Sequence, residues 1–223
     1  EAERVLALAP PNAEVLYWLA FLKDARGDAG AAAALARAGA APVALVFPHR
    51  AESAAVLGWA ASKSAGWTPR YLLALVHWGA GNAQEVRRLL DACGDTSDWA
   101  PFYAARALAS EDEAPQKSLA DLERAARMDP AQWRFGRALA DRQLRAGDAK
   151  AGLETASTYA ARFPDSYILG MLQAKALLAN GRSREAAAKL ARLNVLPYEG
   201  ATEGRRLYRE AHLMLAVEAL RKG

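Results

Sequence analysis

The chain has 223 residues and a formal net charge of +4, with 52% hydrophobic and 24% charged residues. This composition is typical of a soluble globular protein and excludes a disordered or low-complexity chain. No uncharged stretch approaches the roughly 20 residues that cross a bilayer, and the one cysteine, Cys93, excludes an intrachain disulfide.

Helical units follow one another along the chain, and most contain a glycine turn between two helices. Gly27-Asp28 and Gly81-Asn82 mark the first two turns, whereas the third unit has Ser110 to Glu113 at the corresponding place. The spacing between Gly27 and Gly81 leaves room for one extra helix. The predicted boundaries are 12–42, an extra helix at 50–65, 67–95, 98–130, 131–164, 165–197 and a last helix at 203–222.

Two markers recur with the same period in the second half of the chain. Gly147 and Gly181 are separated by the same interval as Pro130 and Pro164, and that interval is the period of about 34 residues of tetratricopeptide repeats. Small residues such as Gly152 and Ala186 fall where two helices approach closely. In this pattern each helix pair buries its apolar face against its neighbours. We therefore predict an all-α, tetratricopeptide-like, right-handed α-solenoid of antiparallel helix pairs that forms a single domain over residues 1–223.

Neither end of the sequence has the pattern of a capping repeat. Residues 1–11 resemble the tail of a second helix, and the apolar run through Ala211, Leu215 and Ala219 resembles a first helix without its partner. Terminal repeats normally carry a polar cap. We expect a fragment of a longer chain, and the sequence does not indicate its compartment.

In tetratricopeptide repeats the first helix of each pair lines the concave face, where a ligand is met. Aromatic residues dominate this predicted face in the early repeats and charged residues in the later ones. Such a groove suits a peptide with apolar anchors and a carboxylate that pairs with arginine. The predicted partner-binding residues are Tyr71, Trp78, Tyr103, Arg134, Arg137, Asp141, Arg145 and Lys175.

A second interpretation of the same residues needs no ligand. Tyrosine and tryptophan at helical spacing are often core residues between repeats. The arginines around Asp141 also have the i, i+3 and i, i+4 spacing of ion pairs on a solvated helix surface. The sequence alone does not decide between these interpretations.

No catalytic, metal or cofactor motif is present. His49, His77 and His212 are far apart, and none has a metal-ligand spacing. Cys93 is predicted to be a packed thiol. The basic excess lies in residues 101–223, with 20 basic and 15 acidic side chains, and a solvated helical face explains it better than a nucleic-acid partner. We predict no catalytic residue, no metal, no cofactor, no membrane partner and no enzymatic activity.

Several segments do not follow the generic repeat. One is Phe47-Pro48-His49-Arg50, and another runs from Leu193 through Pro197-Tyr198-Glu199-Gly200 to Arg205. Further segments are 52–60, 93–95, 100–107 and 211–213. Together they resemble the tetratricopeptide region of large bacterial proteins that carry a galactose-mutarotase-like β-sandwich domain of unknown function before the repeats.

The resemblance implies a carbohydrate-related bacterial parent protein whose chemistry lies outside the repeats. His49 differs from the phenylalanine of the family pattern, which argues against an essential imidazole at that position. We predict a non-catalytic scaffold that binds, on its concave face, a peptide segment or a neighbouring domain such as its own β-sandwich. The alternative is an accessory solenoid of a carbohydrate-active protein whose sugar site lies in a missing β-sandwich domain.

Overall fold

A computed structural model describes residues 12–194 and 201–222. Within these ranges the chain forms twelve α-helices and no strand. The predicted all-α, tetratricopeptide-like class is confirmed, since most of the short helices are joined to the next by three to five residues. Every helix in the described ranges is too short or too polar to cross a lipid bilayer.

The chain divides into two compact units, 1–114 and 115–223, and the single domain expected from the sequence stays a prediction. The boundary lies inside the third predicted repeat, where Ser110 to Glu113 replace the glycine turn. The helices of the first unit are α1 (Ala13–Ala25), α2 (Ala31–Gly39), α3 (Ala51–Lys63), α4 (Trp67–Gly79), α5 (Ala83–Ala92) and α6 (Ala100–Ala109).

The second unit repeats one helical hairpin. Its helices are α7 (Pro115–Met128), α8 (Trp133–Arg145), α9 (Ala149–Arg162), α10 (Tyr167–Ala179), α11 (Ser183–Leu190) and α12 (Ala201–Leu220). The starts of α8, α10 and α12 are one repeat period apart, and these are the first helices of consecutive pairs. Each packs beside the next, and α9 and α11 pack between them on the other side.

A Gly-Asp pair both ends α8 and begins α9. Gly147 has a φ of 84°, a left-handed conformation that side chains with a Cβ rarely adopt. The Asp148 N–H then donates to the Gln143 carbonyl at 3.0 Å, and the Asp148 carboxylate accepts from the Ala151 N–H at 3.0 Å. The same positive φ occurs at the other predicted glycine turns, Gly27, Gly81 and Gly181.

The extra helix, α3, packs against α1. The buried Ser53 hydroxyl donates to the Glu14 carboxylate at 2.5 Å, and the Trp59 indole N–H donates to the Asp24 carboxylate at 2.9 Å. The Phe21 and Trp59 rings also meet edge to face, with centroids 5.5 Å apart. Apolar and polar contacts together fix this helix beside the first helix of the chain.

Glycines allow close packing between helices in the second unit. A Cβ added to Gly136 would lie 2.3 Å from two ring carbons of Tyr159, and one added to Gly170 would lie 2.5 Å from Leu193 Cδ2. These glycines are one repeat period apart and contact the second helix, or its end, of their own pair. Glycine is therefore required at the equivalent position of two consecutive repeats.

Gly152 is also a close contact, as its place in the repeat predicted. A Cβ at this position would meet Leu144 Cγ and Cδ2 at 2.7 Å. Because Leu144 can shift its branched end, we expect Gly152→Ala to lower the free energy of unfolding by only about 1 kcal/mol. Urea denaturation followed by circular dichroism measures this change, and a variant more stable than wild type would contradict it.

Two predicted segments lie outside the described residues. They are residues 1–11, assigned from the sequence to the tail of a helix, and the core of the irregular connector at 195–200. The last helix begins at Ala201, two residues before its predicted start.

Candidate functional site

Tyr71 and Tyr103 are core residues. Tyr103 is fully buried and Tyr71 is 4% exposed. They belong to an aromatic cluster in the first unit, in which Tyr71 meets Trp99 at 5.4 Å and Phe102 meets Tyr103 at 5.0 Å between ring centroids. The Tyr103 hydroxyl donates to the Ser97 carbonyl at 2.8 Å.

The prediction that these two tyrosines line a ligand groove is therefore wrong. Burial also raises the pKa of Tyr71 to about 12, so that its hydroxyl stays neutral. The physical reason is packing, because both rings are large apolar surfaces that the neighbouring helix covers. The interpretation as core residues between repeats holds for both.

A buried arginine closes this aromatic cluster. The Arg106 guanidinium lies 5.4 Å from the centre of the Phe102 ring and 5.3 Å from that of Tyr103. It donates to the Gly94 carbonyl and to the Asp95 carboxylate at 2.7 Å. Arg106 thus joins α6 to the turn that follows α5, and it has a structural role.

Trp78 is the one predicted aromatic contact with an accessible surface in the first unit's described residues. Its half-buried ring lines a cavity of about 350 Å³ near the α4–α5 turn. Leu108 and the acidic residues Glu111, Asp112 and Glu113 also line it. Glu113 Oε1 forms an ion pair with Arg87 Nη1 at 3.0 Å.

Asp141 is the centre of the charged residues predicted in the second unit. Lys175 Nζ lies 2.7 Å from Asp141 Oδ1, and Arg137 Nε lies 3.9 Å from Oδ2. Lys175 belongs to α10 and follows Asp141 by one repeat period, so that equivalent positions of two repeats form an ion pair. The carboxylate therefore links two first helices as well as one turn of α8.

Arg134 and Arg145 are exposed on α8. The Arg134 guanidinium covers the Trp133 ring at 4.7 Å, and the Arg145 Nε donates to the Asp141 main-chain carbonyl at 3.4 Å. Neither side chain lines a cavity with Lys175. The structure thus brings the side chains of Arg137, Asp141 and Lys175 together. Arg134 and Arg145 lie on the same helix, α8, but their side chains are not part of this group.

The three grouped residues line a cavity of about 370 Å³, which we call the first-helix pocket. Its polar residues are Arg137, Asp141, Lys175 and Glu203, from α8, α10 and α12. Its apolar residues all come from α10, and they are Tyr167, Ile168, Met171 and Leu172. The pocket therefore combines an apolar wall with two cations and two carboxylates.

Sequence reasoning missed Glu203 and most of the apolar wall. The repeat period contains a signal for the wall, because Tyr167 and Met171 occupy the positions of Trp133 and Arg137 in the preceding repeat. No comparable signal identifies Glu203, which reaches the pocket from the start of α12. Whether the aromatic and charged residues of the two units form one groove stays a prediction.

The described residues contain no group of three or more His, Cys, Asp and Glu side chains that could hold a metal ion. Cys93 is buried, and burial raises the pKa of its thiol to about 11. A thiol that stays protonated near neutral pH is a poor nucleophile. Cys93 is thus the packed thiol that the sequence predicted.

No protein-family model matches the sequence, and no curated protein sequence matches it. Among solved structures, a crystal structure of MamA aligns with 83% of this chain and 98% of its own at 13% identity, with a TM-score of 0.57. A second MamA structure aligns with 75% and 89% at 11% identity, with a TM-score of 0.54. TTC0263, a thermophilic TPR protein of Thermus thermophilus, aligns with 90% and 99% at 15% identity, with a TM-score of 0.49.

The two MamA structures share only 13% and 11% of their residues with this chain, so their likeness shows the fold alone. That fold is an all-α arrangement of helical repeats. It agrees with the repeat period and with the helical hairpins of the second unit.

Proposed function

We propose that the chain is a non-catalytic protein-interaction scaffold and that its first-helix pocket binds a peptide segment of a partner protein or of a neighbouring domain. The observation that carries this proposal is the lining of the pocket by three consecutive first helices. In helical-repeat proteins, stacked repeats form an extended binding surface of this kind.

The apolar wall suits a hydrophobic anchor residue of the bound segment. Met171 and Leu172 are each 5% exposed and form a packed base, while Tyr167 and Ile168 are half-buried at its edge. A cavity of about 370 Å³ is large enough for one bulky side chain. Anchoring by a single side chain in an apolar pocket is a common mode of peptide recognition.

The cations suit a carboxylate next to that anchor. Lys175 has three donors, and the contact with Asp141 Oδ1 uses one of them. Arg137 is 3.9 Å from Asp141, beyond hydrogen-bond distance, and half of its side chain is exposed. Its guanidinium can therefore pair with a ligand carboxylate in bidentate geometry.

The lining residues favour binding over catalysis. They include no histidine, cysteine or serine in the described part of the chain, and so no nucleophile stands beside a general base. The two carboxylates lie among cations, and one of them, Asp141, is already in an ion pair. These groups can orient a ligand, and nothing in their arrangement supplies a proton transfer or a covalent step.

A peptide-display selection with the wild type, Arg137→Ala and Arg134→Ala tests the proposal. We expect random 12-residue peptides that bind the wild type to pair an acidic residue with a nearby bulky apolar residue. Because Arg137 lines the pocket, Arg137→Ala should weaken the selected peptides by about fivefold at low salt. Raising the ionic strength should reduce that difference.

Arg134→Ala is the matched control, because Arg134 is an exposed arginine on the same helix outside the pocket. It should leave the affinity unchanged. If both variants lose the same affinity for the peptides, the effect is one of overall charge, and the proposal that the first-helix pocket is the binding site is wrong. Selection of peptides that lack a carboxylate would also contradict it.

The second candidate is an accessory solenoid of a carbohydrate-active bacterial protein whose sugar site lies in a β-sandwich domain. It is supported by the irregular segments 47–52 and 193–205, part of which lies outside the described residues. On this proposal the neighbouring domain would be the partner of the repeats. On a glycan array, this chain by itself should then bind no sugar. Strong binding to any glycan would count against both candidates.

A further inference from the structure

A second cavity, in the first unit, has a different chemistry. It measures about 380 Å³ and lies where the end of α2 meets the starts of α4 and α6. Residues 39–44 form one side, and Trp67, Thr68, Asp98 and Trp99 form the other. We call it the tryptophan cavity.

Two indole rings give the cavity its aromatic surface. Trp67 and Trp99 are nearly parallel, with an interplanar angle of 19° and centroids 6.4 Å apart. Both are half-buried, and both line the cavity. Tryptophan has the most favourable ring face for a cation, because its π-system has the strongest negative quadrupole among the side chains.

The charge of the cavity is negative. Asp98 alone among its lining residues carries a charge, and within the part of the chain that the structure describes it makes no hydrogen bond or ion pair. The end of α2 adds partial negative charge, since the last carbonyls of a helix lack intrahelical donors. Only the Gly39 carbonyl is seen to accept from a lining side chain, the Thr68 hydroxyl at 3.3 Å.

The N-termini of α4 and α6 carry partial positive charge, which opposes the negative charge of the cavity. A proline in the first turn of each helix makes both N-termini weaker anion sites. Helix N-termini attract anions through their free N–H groups. Pro69 lies in the first turn of α4 and Pro101 in that of α6, and each removes one such donor. The Trp99 N–H is also occupied, because it donates to the Ser97 hydroxyl at 3.2 Å.

From this combination we propose that the tryptophan cavity binds an alkylammonium group, with the cation against the Trp67 and Trp99 indoles and near the Asp98 carboxylate. Choline-type molecules and methylated lysine side chains share this chemistry. The volume is sufficient for a trimethylammonium head with a short chain. The site is independent of the first-helix pocket, since it lies wholly in the other unit.

Nuclear magnetic resonance of the tryptophan indole N–H groups tests the site on the intact chain. The six tryptophans give six such signals, and Trp67→Phe and Trp99→Phe assign the two that matter. Choline should shift these two signals and leave the Trp133 signal in place, with a dissociation constant on the order of 1 mM. Its neutral isostere, 3,3-dimethylbutan-1-ol, should shift them far less because it lacks the charge.

Asp98→Asn and Asp165→Asn form a matched pair. Both aspartates are exposed and lie directly before the N-cap residue of a helix. At low salt Asp98→Asn should weaken choline binding by about fivefold, while Asp165→Asn should leave it unchanged. A glycine-flanked peptide with one trimethyllysine distinguishes the sources: tighter binding than choline indicates a protein side chain, and weaker binding indicates a small molecule.

Three results would overturn the proposal. The first is that choline at about 50 mM shifts neither the Trp67 nor the Trp99 signal. The second is that the neutral isostere shifts them as much as choline, which would make the cavity apolar without charge preference. The third is an equal response of the two aspartate variants.

Discussion

Gly136→Ala is expected to lower the free energy of unfolding by about 2 kcal/mol, although alanine is the better helix former. The added Cβ would lie 2.3 Å from Cδ2 and Cε2 of Tyr159 and 2.4 Å from its Cγ. Since Cγ is the root of the ring, rotation about the Cβ–Cγ bond of Tyr159 does not relieve the overlap. Either the buried ring leaves its rotamer or one of the two helices, α8 or α9, moves, and both cost more than the helix propensity gains. Urea denaturation monitored by circular dichroism measures the loss.

Gly58→Ala is the matched control, because Gly58 also lies inside a helix but a Cβ there would meet nothing within 4 Å. It should be stabilising by up to about 1 kcal/mol. A double-mutant cycle with Tyr159→Ala, which removes Cγ as well as the ring, should show that Gly136→Ala then costs less. Equal effects at Gly136 and Gly58, or a cycle without coupling, would contradict the proposed contact.

Arg106→Met is expected to lower the free energy of unfolding by about 3 kcal/mol. Arg106 is 4% exposed, and methionine keeps the apolar part of its contact with Phe102 and Tyr103. The variant loses the donors to the Gly94 carbonyl and the Asp95 carboxylate, as well as the interaction of the cation with both rings. Arg106→Lys should recover only part of the loss, because an ammonium group does not reproduce the planar fork.

Asp95→Asn separates the ion pair from the burial of the guanidinium. The Asp95 side chain is 70% exposed, so that its charge is well solvated and its pairing with Arg106 is worth little. We expect a loss of less than about 1 kcal/mol for this variant. If Asp95→Asn costs as much as Arg106→Met, the ion pair is the main stabilising contact and the aromatic packing is secondary.

Local features of the fold could be predicted because local chemistry determines them. A glycine that takes a positive φ ends a helix wherever it stands, as at Gly27 and Gly147. The Asp148 carboxylate caps the next helix through an N–H three residues away. Such interactions depend on residues within one turn of each other, so the repeat period already predicted helix pairs and their order.

The candidate site could be predicted only in part. Asp141 and Lys175 occupy equivalent positions of consecutive repeats, and the repeat period indicates that they are near each other. The sequence suggested instead that Asp141 pairs within α8, and the structure shows that the shortest contact is with Lys175. Which of several cations within reach makes the shortest contact with Asp141 depends on the distance between α8 and α10. Side-chain packing sets that distance.

The tyrosines show where sequence patterns are insufficient. Tyr71 and Tyr103 have the same helical spacing as the half-buried Trp78, and their periodicity does not reveal which rings a neighbour covers. Tyr71 of α4 is buried because Trp99 and Phe102, from the start of α6, pack on its ring. Burial is a property of the assembled helices, and no single helix contains it.

The sequence by itself determined the helical class, the positions of the turns and the absence of a catalytic motif, since these depend on propensity, capping and residue type. Tertiary structure decided which small residues are indispensable, as at Gly136, and which aromatic and charged side chains stay accessible. It also decided that Trp67, Asp98 and Trp99 share a cavity with the end of α2. These outcomes depend on distances between helices, which follow from how all the contacting side chains pack together.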